Sequence, residues 1–363
     1  MKSYKIILAL ASAFVLAALA GCGGGASQAS SSSADTSASA TASASASASS
    51  AKAESSEKAA SSAKSSSSAT KANAVEDAVN KYWADFPAEG NNQLPAAKIF
   101  EKMDAGEDIL ILDIRSADDY AQGHLKGAVN IPYGKIAENL EAIPDDKDIW
   151  INCYTGQTSS QTTVMLSVAG KKAHNIQSGW DRGISKAEGY ENYIETEANE
   201  LPAGSYPVDA DIKAAIEDYY KTATSQEKYK NLNFPPDELK ADIDAGTADK
   251  YTILSVRSAA DYAGEGDASK NAQGHIPGAI NIPFGKGMQE SFGDIPTDKP
   301  VIVYCYTGQT ASQVMASLRL LGYEAYNLNG GMGKAPEGEN PGFGWLSVEG
   351  AADLLETAAA KAA

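Results

Sequence analysis

Cysteine, histidine and cationic side chains are all scarce in this chain. Of 363 residues, three are Cys and three are His. Three cysteines cannot build a disulfide scaffold, and neither they nor the histidines fall at ligand spacing, so no metal site is expected. Lys and Arg number 30 against 47 Asp and Glu, a net charge of -17. That balance argues against a nucleic-acid partner, which needs cations to neutralise phosphates. A long apolar run is missing too. Ile6 to Ala20 spans 15 residues, where a bilayer crossing takes about 20. What is present suffices for packed domains. Hydrophobic residues make up 43% and charged residues 21%, and the length allows two or three domains of about 100–200 residues each.

Lys2 and Lys5 precede that apolar run, and it ends Leu19-Ala20-Gly21-Cys22. The order resembles the lipobox of bacterial lipoproteins. The resemblance implies a signal peptide over 1–21 and a diacylated Cys22 as the mature N-terminus. The chain would then lie outside the cytoplasmic membrane and touch it through the lipid anchor alone. An ordinary secretory signal with an incidental Cys is the alternative. Over residues 26–70, 35 of 45 positions are Ala or Ser. Such a stretch buries too little surface to offset the entropy of ordering, so 22–73 reads as a disordered Ala/Ser-rich tether. A coil of about 50 residues spans about 40 Å. Residues 1–73 carry a net +3, which leaves -20 on the remainder; the plain meaning is solubility.

One unit occurs twice. Leu112-Asp113-Ile114-Arg115-Ser116 returns as Leu254-Ser255-Val256-Arg257-Ser258. Gly123-His124 through Asn130-Ile131-Pro132 returns as Gly274-His275 through Asn281-Ile282-Pro283. Both copies carry Cys-Tyr-Thr-Gly-Gln-Thr, at Cys153–Thr158 and Cys305–Thr310. The offset grows from 142 at the Arg to 152 at the Cys, which places an insertion of about nine residues around Gly264–Ala272. A period this long is domain duplication. The expected organisation is 74–200, 201–350 and a helical tail over 351–363. In each copy, short β-branched runs (109–114, 148–153 and 172–176; 251–256, 301–305 and 324–328) predict buried strands. Apolar residues at helical spacing predict helices over 159–169 and 311–321, stopped by Gly170 and Gly322. Asp209–Thr222 reads as a connecting helix. The fold class is α/β with parallel sheets flanked by helices.

The chemistry centres on Cys153 and Cys305. A Cys at the C-terminal end of a strand, followed by a tight loop and a helix N-terminus, faces free backbone N–H groups and the positive end of the helix dipole. Such a field favours a thiolate, the nucleophile of covalent catalysis. Gly156 and Gly308 let the loop curl around the sulfur. Thr155, Thr158, Thr307 and Thr310 offer hydroxyls to an anionic adduct. A buried, inert Cys is the bland alternative, and the identical hexapeptide in two otherwise diverging copies weighs against it. A Cys153–Cys305 disulfide is disfavoured because each Cys occupies the equivalent pocket of a separate domain.

The Asp-Ile-Arg and Ser-Val-Arg segments, the Gly-His-x-x-Gly-Ala-x-Asn-Ile-Pro segments and the Cys-x-x-Gly loops together resemble a tandem rhodanese-domain protein of the sulfurtransferase family. The resemblance covers about residues 80–345, and Ser178-Gly179-Trp180 and Gly330-Gly331-Met332 match the family's terminal Gly-Gly turn in part. It implies two rhodanese-like domains, each a five-stranded parallel sheet flanked by helices. Cys153 and Cys305 would accept sulfane sulfur as a persulfide from a small donor such as thiosulfate. They would pass it to a thiol, a cyanide-like acceptor or a protein, with no cofactor. The substrate-binding set is Tyr154, Thr155, Gly156, Gln157 and Thr158, with Tyr306, Thr307, Gly308, Gln309 and Thr310. A non-catalytic binding or redox-sensing surface module is the second reading. A phosphatase or arsenate reductase is disfavoured, since the Arg such sites need six residues after the Cys is Ser159 or Ala311. Neither loop carries a cation, so anionic thiosulfate is expected to bind poorly. Ser255 in place of Asp113 leaves Arg257 in need of another acid. His124, His275 and the four Trp read as structural, Tyr154 and Tyr306 as pocket-mouth or packing residues, and His174 as a surface residue.

Overall fold

The computed structural model describes residues 74–358. The expected signal peptide, lipidated Cys22 and tether lie outside the described residues. Helix α1 covers 74–84. The first half then runs β1 (Gln93–Leu94), α2 (Ala96–Asp104), β2 (Ile109–Asp113), α3 (Ala117–Gln122), β3 (His124–Leu125), β4 (Val129–Asn130), β5 (Asp148–Asn152), α4 (Gln157–Val168), β6 (Lys172–Ile176) and β7 (Ile194–Glu195). Its parallel sheet has the order β1-β6-β5-β2-β4, and β3 pairs antiparallel with β7 at the side. Helix α5 (Ala210–Ser225) leads into β8 (Asn233–Phe234), α6 (Pro236–Asp244), β9 (Thr252–Ser255), α7 (Ala259–Ala263), β10 (Ile280–Asn281), β11 (Val301–Tyr304), α8 (Gln309–Leu320) and β12 (Ala325–Leu328). The second sheet repeats the first as β8-β12-β11-β9-β10. The six predicted strands all form. Strands β5 and β11 sit in the middle of their sheets, with the apolar runs Ile149–Ile151 and Val301–Val303 buried. Both central strands stop one residue before a cysteine.

The long helices start two residues earlier than the apolar spacing predicts. Gly156 and Gly308, at φ 84° and 83°, turn the chain directly into α4 and α8. At the other end Gly170 and Gly322 are left-handed, as expected of stop residues.

The first helix of each half is exchanged. Helix α1 lies against the second half. Trp83 is fully buried, its indole Nε1 donates to Ser317 Oγ at 3.1 Å, and its ring meets Phe284 and Phe292 with centroids 5.4 and 6.1 Å apart. Tyr82 donates to Gln313 Oε1 at 2.8 Å. Helix α5 does the same for the first half: Tyr219 donates to Gln161 Oε1 at 2.9 Å and Tyr220 to Thr162 Oγ1 at 3.0 Å. The connecting helix is therefore also a wall of the domain that precedes it. One apolar cluster runs continuously from Val79 through both halves to Ala351. Trp83→Ala is thus expected to destabilise the second half, by about 3–5 kcal/mol for an aromatic lost from a core. Urea unfolding with fragment-resolved hydrogen exchange reads this, and the loss should appear first in β9–β12.

The insertion in the second copy has a structural use. In the first half, Arg115 is buried and forms a bidentate pair with Asp113, with Nη2 to Oδ2 at 2.7 Å. Arg257 finds no replacement acid among the described residues. Its guanidinium donates to the carbonyls of Gly274, at 2.8 Å, and Ala272 at the end of the insertion. Arg115 makes the same kind of bond to Gly123 O at 2.7 Å, so the Ala272 carbonyl alone is the new partner, and Arg257 Nε stays buried without one. His124 and His275 are buried beside their turns, each with Nδ1 2.8 Å from a backbone carbonyl and its ring stacked on Tyr120 or Tyr262. His174 departs from the surface position expected of it. It is half-buried, its Nδ1 lies 2.6 Å from Asn92 Oδ1, and it stacks on Trp150. Burial lowers its pKa, partly opposed by Asp148. Of the tail, 351–358 is described: a 3-10 turn at Ala352–Leu354, then a bridge between Glu356 and His275.

Candidate functional site

Each cysteine lies at the C-terminal end of a central strand, and its sulfur is met by amides of its own loop. Cys153 Sγ accepts from the N–H groups of Gly156 at 3.1 Å and Ser159 at 3.3 Å, with Ser159 Oγ 3.1 Å away. Cys305 Sγ accepts from Gly308 N–H at 3.1 Å. The N-termini of α4 and α8, twelve residues each, add their dipoles. Both cysteines are free and nearly covered, at 2% and 1% exposure.

A glycine supports each loop from below. At Gly179 (φ 59°) a Cβ would stand 2.5 Å from Cys153 O and 2.8 Å from the amides of Thr155 and Gly156. At Gly331 (φ 62°) it would stand 2.7 Å from Cys305 O and from Gly308 N. The residues after these glycines close the contact: Trp180 N–H donates to Cys153 O at 2.7 Å, and Met332 N–H to Cys305 O at 2.8 Å. This is the physical need behind the Gly in both late turns.

Tyr154 and Tyr306 point outward and clamp the loops to the starts of α3 and α7. Their hydroxyls donate to Asp119 and Asp261 and accept from the N–H groups of Ser116 and Ser258. Bonds from Ser116 and Tyr154 hold the Asp119 carboxyl below its usual range. At Asp261 burial pushes the pKa up, and bonds from Tyr306, Gln273 and Ser258 outweigh it.

The glutamines cross over. Gln157 Oε1 accepts from Gly330 N–H at 2.9 Å and Asn327 Nδ2 at 2.8 Å, both in the second half. Gln309 Oε1 accepts from Ser178 N–H at 2.7 Å and Asn175 Nδ2 at 3.2 Å, both in the first. Each amide nitrogen returns to its own loop, Gln157 to Thr155 Oγ1 at 3.1 Å and Gln309 to Thr307 Oγ1 at 3.0 Å. Thr155 and Thr307 accept these bonds and keep their own hydrogens to give. Thr158 is half-buried and Thr310 is buried, and neither side chain bonds a sulfur. The recurring hexapeptide thus has a second cause besides chemistry: two reciprocal contacts need the same residue in both copies.

Between the loops opens a cleft of about 590 Å³ that Thr155 and Thr307 both line. It contains the cations that the loops lack. Arg182 and Lys186 enter from the first half and Lys334 from the second, with Asp181 as the acid on the lining. Arg182 lies over the Phe343 ring at 3.8 Å, which ties the halves together. Among the described residues none of the three cations forms an ion pair with a carboxylate. The loops themselves carry no cation, and these three come from residues beyond them. Arg182 and Lys334 each stand 29 residues after their cysteine, a repeat present in the sequence but hidden beyond the loop. The opening therefore combines two threonine residues from the cysteine loops with three cations, while the two sulfurs lie covered within those loops and are not on its lining.

A family model described as a rhodanese-like domain matches residues 96–186 and again 235–334, together more than half of the chain. The candidate sulfur carrier protein YrkF of Bacillus subtilis is 29% identical over 89 residues, 24% of this chain and about half (48%) of that protein. The candidate sulfurtransferase YtwF of the same organism is 30% identical over 87 residues, 24% of this chain and 84% of that one. The candidate thiosulfate sulfurtransferase SseB of Mycobacterium tuberculosis is 23% identical over 272 residues, 66% of this chain and 91% of that one. With both of its α/β halves matched, the chain belongs to the rhodanese-like family, carries two copies of the domain, and has sulfurtransferases among its relatives.

Proposed function

We propose that the protein is a sulfurtransferase of the cell envelope that carries sulfane sulfur on Cys153 and Cys305. The thiolate attacks the outer sulfur of thiosulfate or a similar donor. The donor's S–S bond breaks, sulfite leaves with the electron pair, and the enzyme keeps a persulfide anion. A thiol, cyanide or a protein thiol then attacks the outer persulfide sulfur and regenerates the thiolate. The observation that carries this reading is the pair of cysteines with loop N–H groups directed at their sulfurs, Gly156 and Ser159 at Cys153 and Gly308 at Cys305. Backbone donors aimed where negative charge develops need no reorganisation during transfer. Arg182, Lys186 and Lys334 favour an anionic donor. Lipid attachment at Cys22 and placement outside the cytoplasmic membrane rest on the Leu-Ala-Gly-Cys motif.

The test is sulfur transfer from thiosulfate to cyanide by the wild type, Cys153→Ser, Cys305→Ser and the double variant. The double variant is expected to fall to the uncatalysed rate, and each single variant to retain part. Transfer that survives the double change defeats the proposal. In the same cells, Cys22→Ser is expected to move the protein from the membrane to the soluble fraction; an unaltered distribution refutes the anchor. The 1–2% exposure of the cysteines favours the second reading, a cleft that binds anions or a partner without turnover. Binding retained by the double variant, with no transfer by the wild type, would establish it.

A further inference from the structure

The two sulfurs sit in equivalent loops with unequal neighbours. Around Cys153 the direction of every hydrogen bond is determined. Ser178 N–H can only donate, so Gln309 Oε1, at 2.7 Å, is an acceptor. Asn175 Nδ2 donates to that same oxygen and to Gln93 Oε1 at 3.1 Å, which leaves Asn175 Oδ1 to accept the Ser159 hydroxyl at 2.6 Å. With its hydrogen committed, Ser159 Oγ faces the sulfur, 3.1 Å away, as an acceptor of the S–H. Ser159 and Asn175 are fully buried. The relay thus starts in the second half and ends on the sulfur of the first.

Its counterpart stops early. Gln157 Oε1 holds Asn327 Nδ2, which also donates to Asn233 Oδ1 at 2.8 Å. Asn327 Oδ1 is then buried without a partner, because the residue in the place of Ser159 is Ala311.

We infer that Gln309 acts across the interface as a positioning residue for Cys153, and that the missing hydroxyl at Ala311 makes Cys305 the faster nucleophile. When Cys153 becomes an anion, Ser159 must either present a lone pair to it or turn its hydrogen inward and abandon the buried Asn175 Oδ1. Both cost free energy that Cys305 is spared. The extra Ser159 amide works the other way, but at 3.3 Å it is the longer contact. The idea rests on the proposed function only in that both sulfurs act as nucleophiles there.

Alkylation of the full chain by iodoacetamide, resolved on the two cysteine peptides by mass spectrometry, tests it. Cys305 is expected to react at least about fivefold faster than Cys153. Ser159→Ala should speed Cys153, and Ala311→Ser should slow Cys305, each by about that factor, the scale of one buried hydrogen bond. Gln309→Met keeps the length and removes the acceptor; it should move Cys153 more than Cys305, although residue 309 belongs to the loop of Cys305. Gln309→Glu keeps the acceptor oxygen and should restore Cys153. If Gln309→Met does not fold, the single-atom exchanges at 159 and 311 decide. Cys153 as fast as Cys305, rates indifferent to those exchanges, or a Gln309→Met effect confined to Cys305 overturns the inference. No sulfur donor enters this assay, so a wild type without sulfur transfer would defeat the proposed function and leave the relay still open to test.

Discussion

Exchanging Arg182 and Lys334 for glutamate is expected to raise the KM for thiosulfate at least about tenfold more than the KM for an uncharged trisulfide donor. Charge-assisted hydrogen bonds to an anion contribute about 1.5–3 kcal/mol each. Both side chains are exposed, so each contribution is discounted for solvent screening. The setting increases its importance, because residues 74–363 carry a net -20. Without a local positive patch the protein's own field would repel a dianion from the cleft. Screening supplies a control: the wild-type KM for thiosulfate should rise between low salt and about 0.15 M, where the Debye length is about 8 Å, and the variant should respond weakly. Steady-state kinetics with both donors checks this. An equal effect on charged and uncharged donors would show that the exchange had only disturbed the interface, where Arg182 lies on Phe343.

Gly179→Ala is expected to lower sulfur loading on Cys153 by about a hundredfold while Cys305 keeps most of its own. Gly331→Ala should do the converse. A left-handed alanine costs about 1–2 kcal/mol in backbone strain alone. The larger cost is the place of the Cβ, which would meet the backbone of the cysteine loop at 2.5–2.8 Å around Gly179. The groups it displaces include Gly156 N–H, a donor to the sulfur at 3.1 Å. Backbone cannot step aside as the tip of a side chain can, so the amides must leave their positions. Electrostatic stabilisation by preorganised donors is lost by such shifts, commonly a factor of about 10²–10³ for one donor. The glycine effect stays within its own half, whereas Gln309 acts on the other. Peptide-resolved persulfide occupancy separates the two patterns, and a Gly179→Ala protein that loads Cys153 normally would show that the amides are incidental.

Strands were legible because their cause is local. Ile109–Asp113 and Val301–Tyr304 are buried on both faces, and a buried parallel strand must be a short unbroken apolar run. The cysteine's place followed from that strand and the glycine after it. Helix α4 was legible from Ser159 onward, and only its first two residues were missed. Its N-terminal residues, Gln157 to Thr163, are polar, yet most of them are buried. Gln157, Gln161 and Thr162 find partners in the other half and in α5, and no periodicity records a hydrogen bond between residues 58 to 173 apart. The same limit hid the exchanged helices and the crossing glutamines. Arg182 and Lys334 were hidden differently: the repeat at 29 residues past each cysteine was present, but beyond the loop that draws attention. Arg257 shows a third reason. A missing acid suggests another acid, while the backbone carbonyl of Ala272 leaves no mark in a sequence.

The central claim is that both cysteines carry transferable sulfur, each held by backbone N–H donors of its own loop, two at Cys153 and one at Cys305. Its most direct measurement is mass spectrometry of the two cysteine peptides after the full chain meets a sulfane donor and is freed of excess, before and after addition of cyanide. The account predicts one added sulfur atom on the Cys153 peptide and one on the Cys305 peptide, both removed by cyanide. Peptides that never gain sulfur from thiosulfate, from a trisulfide or from polysulfide would contradict it.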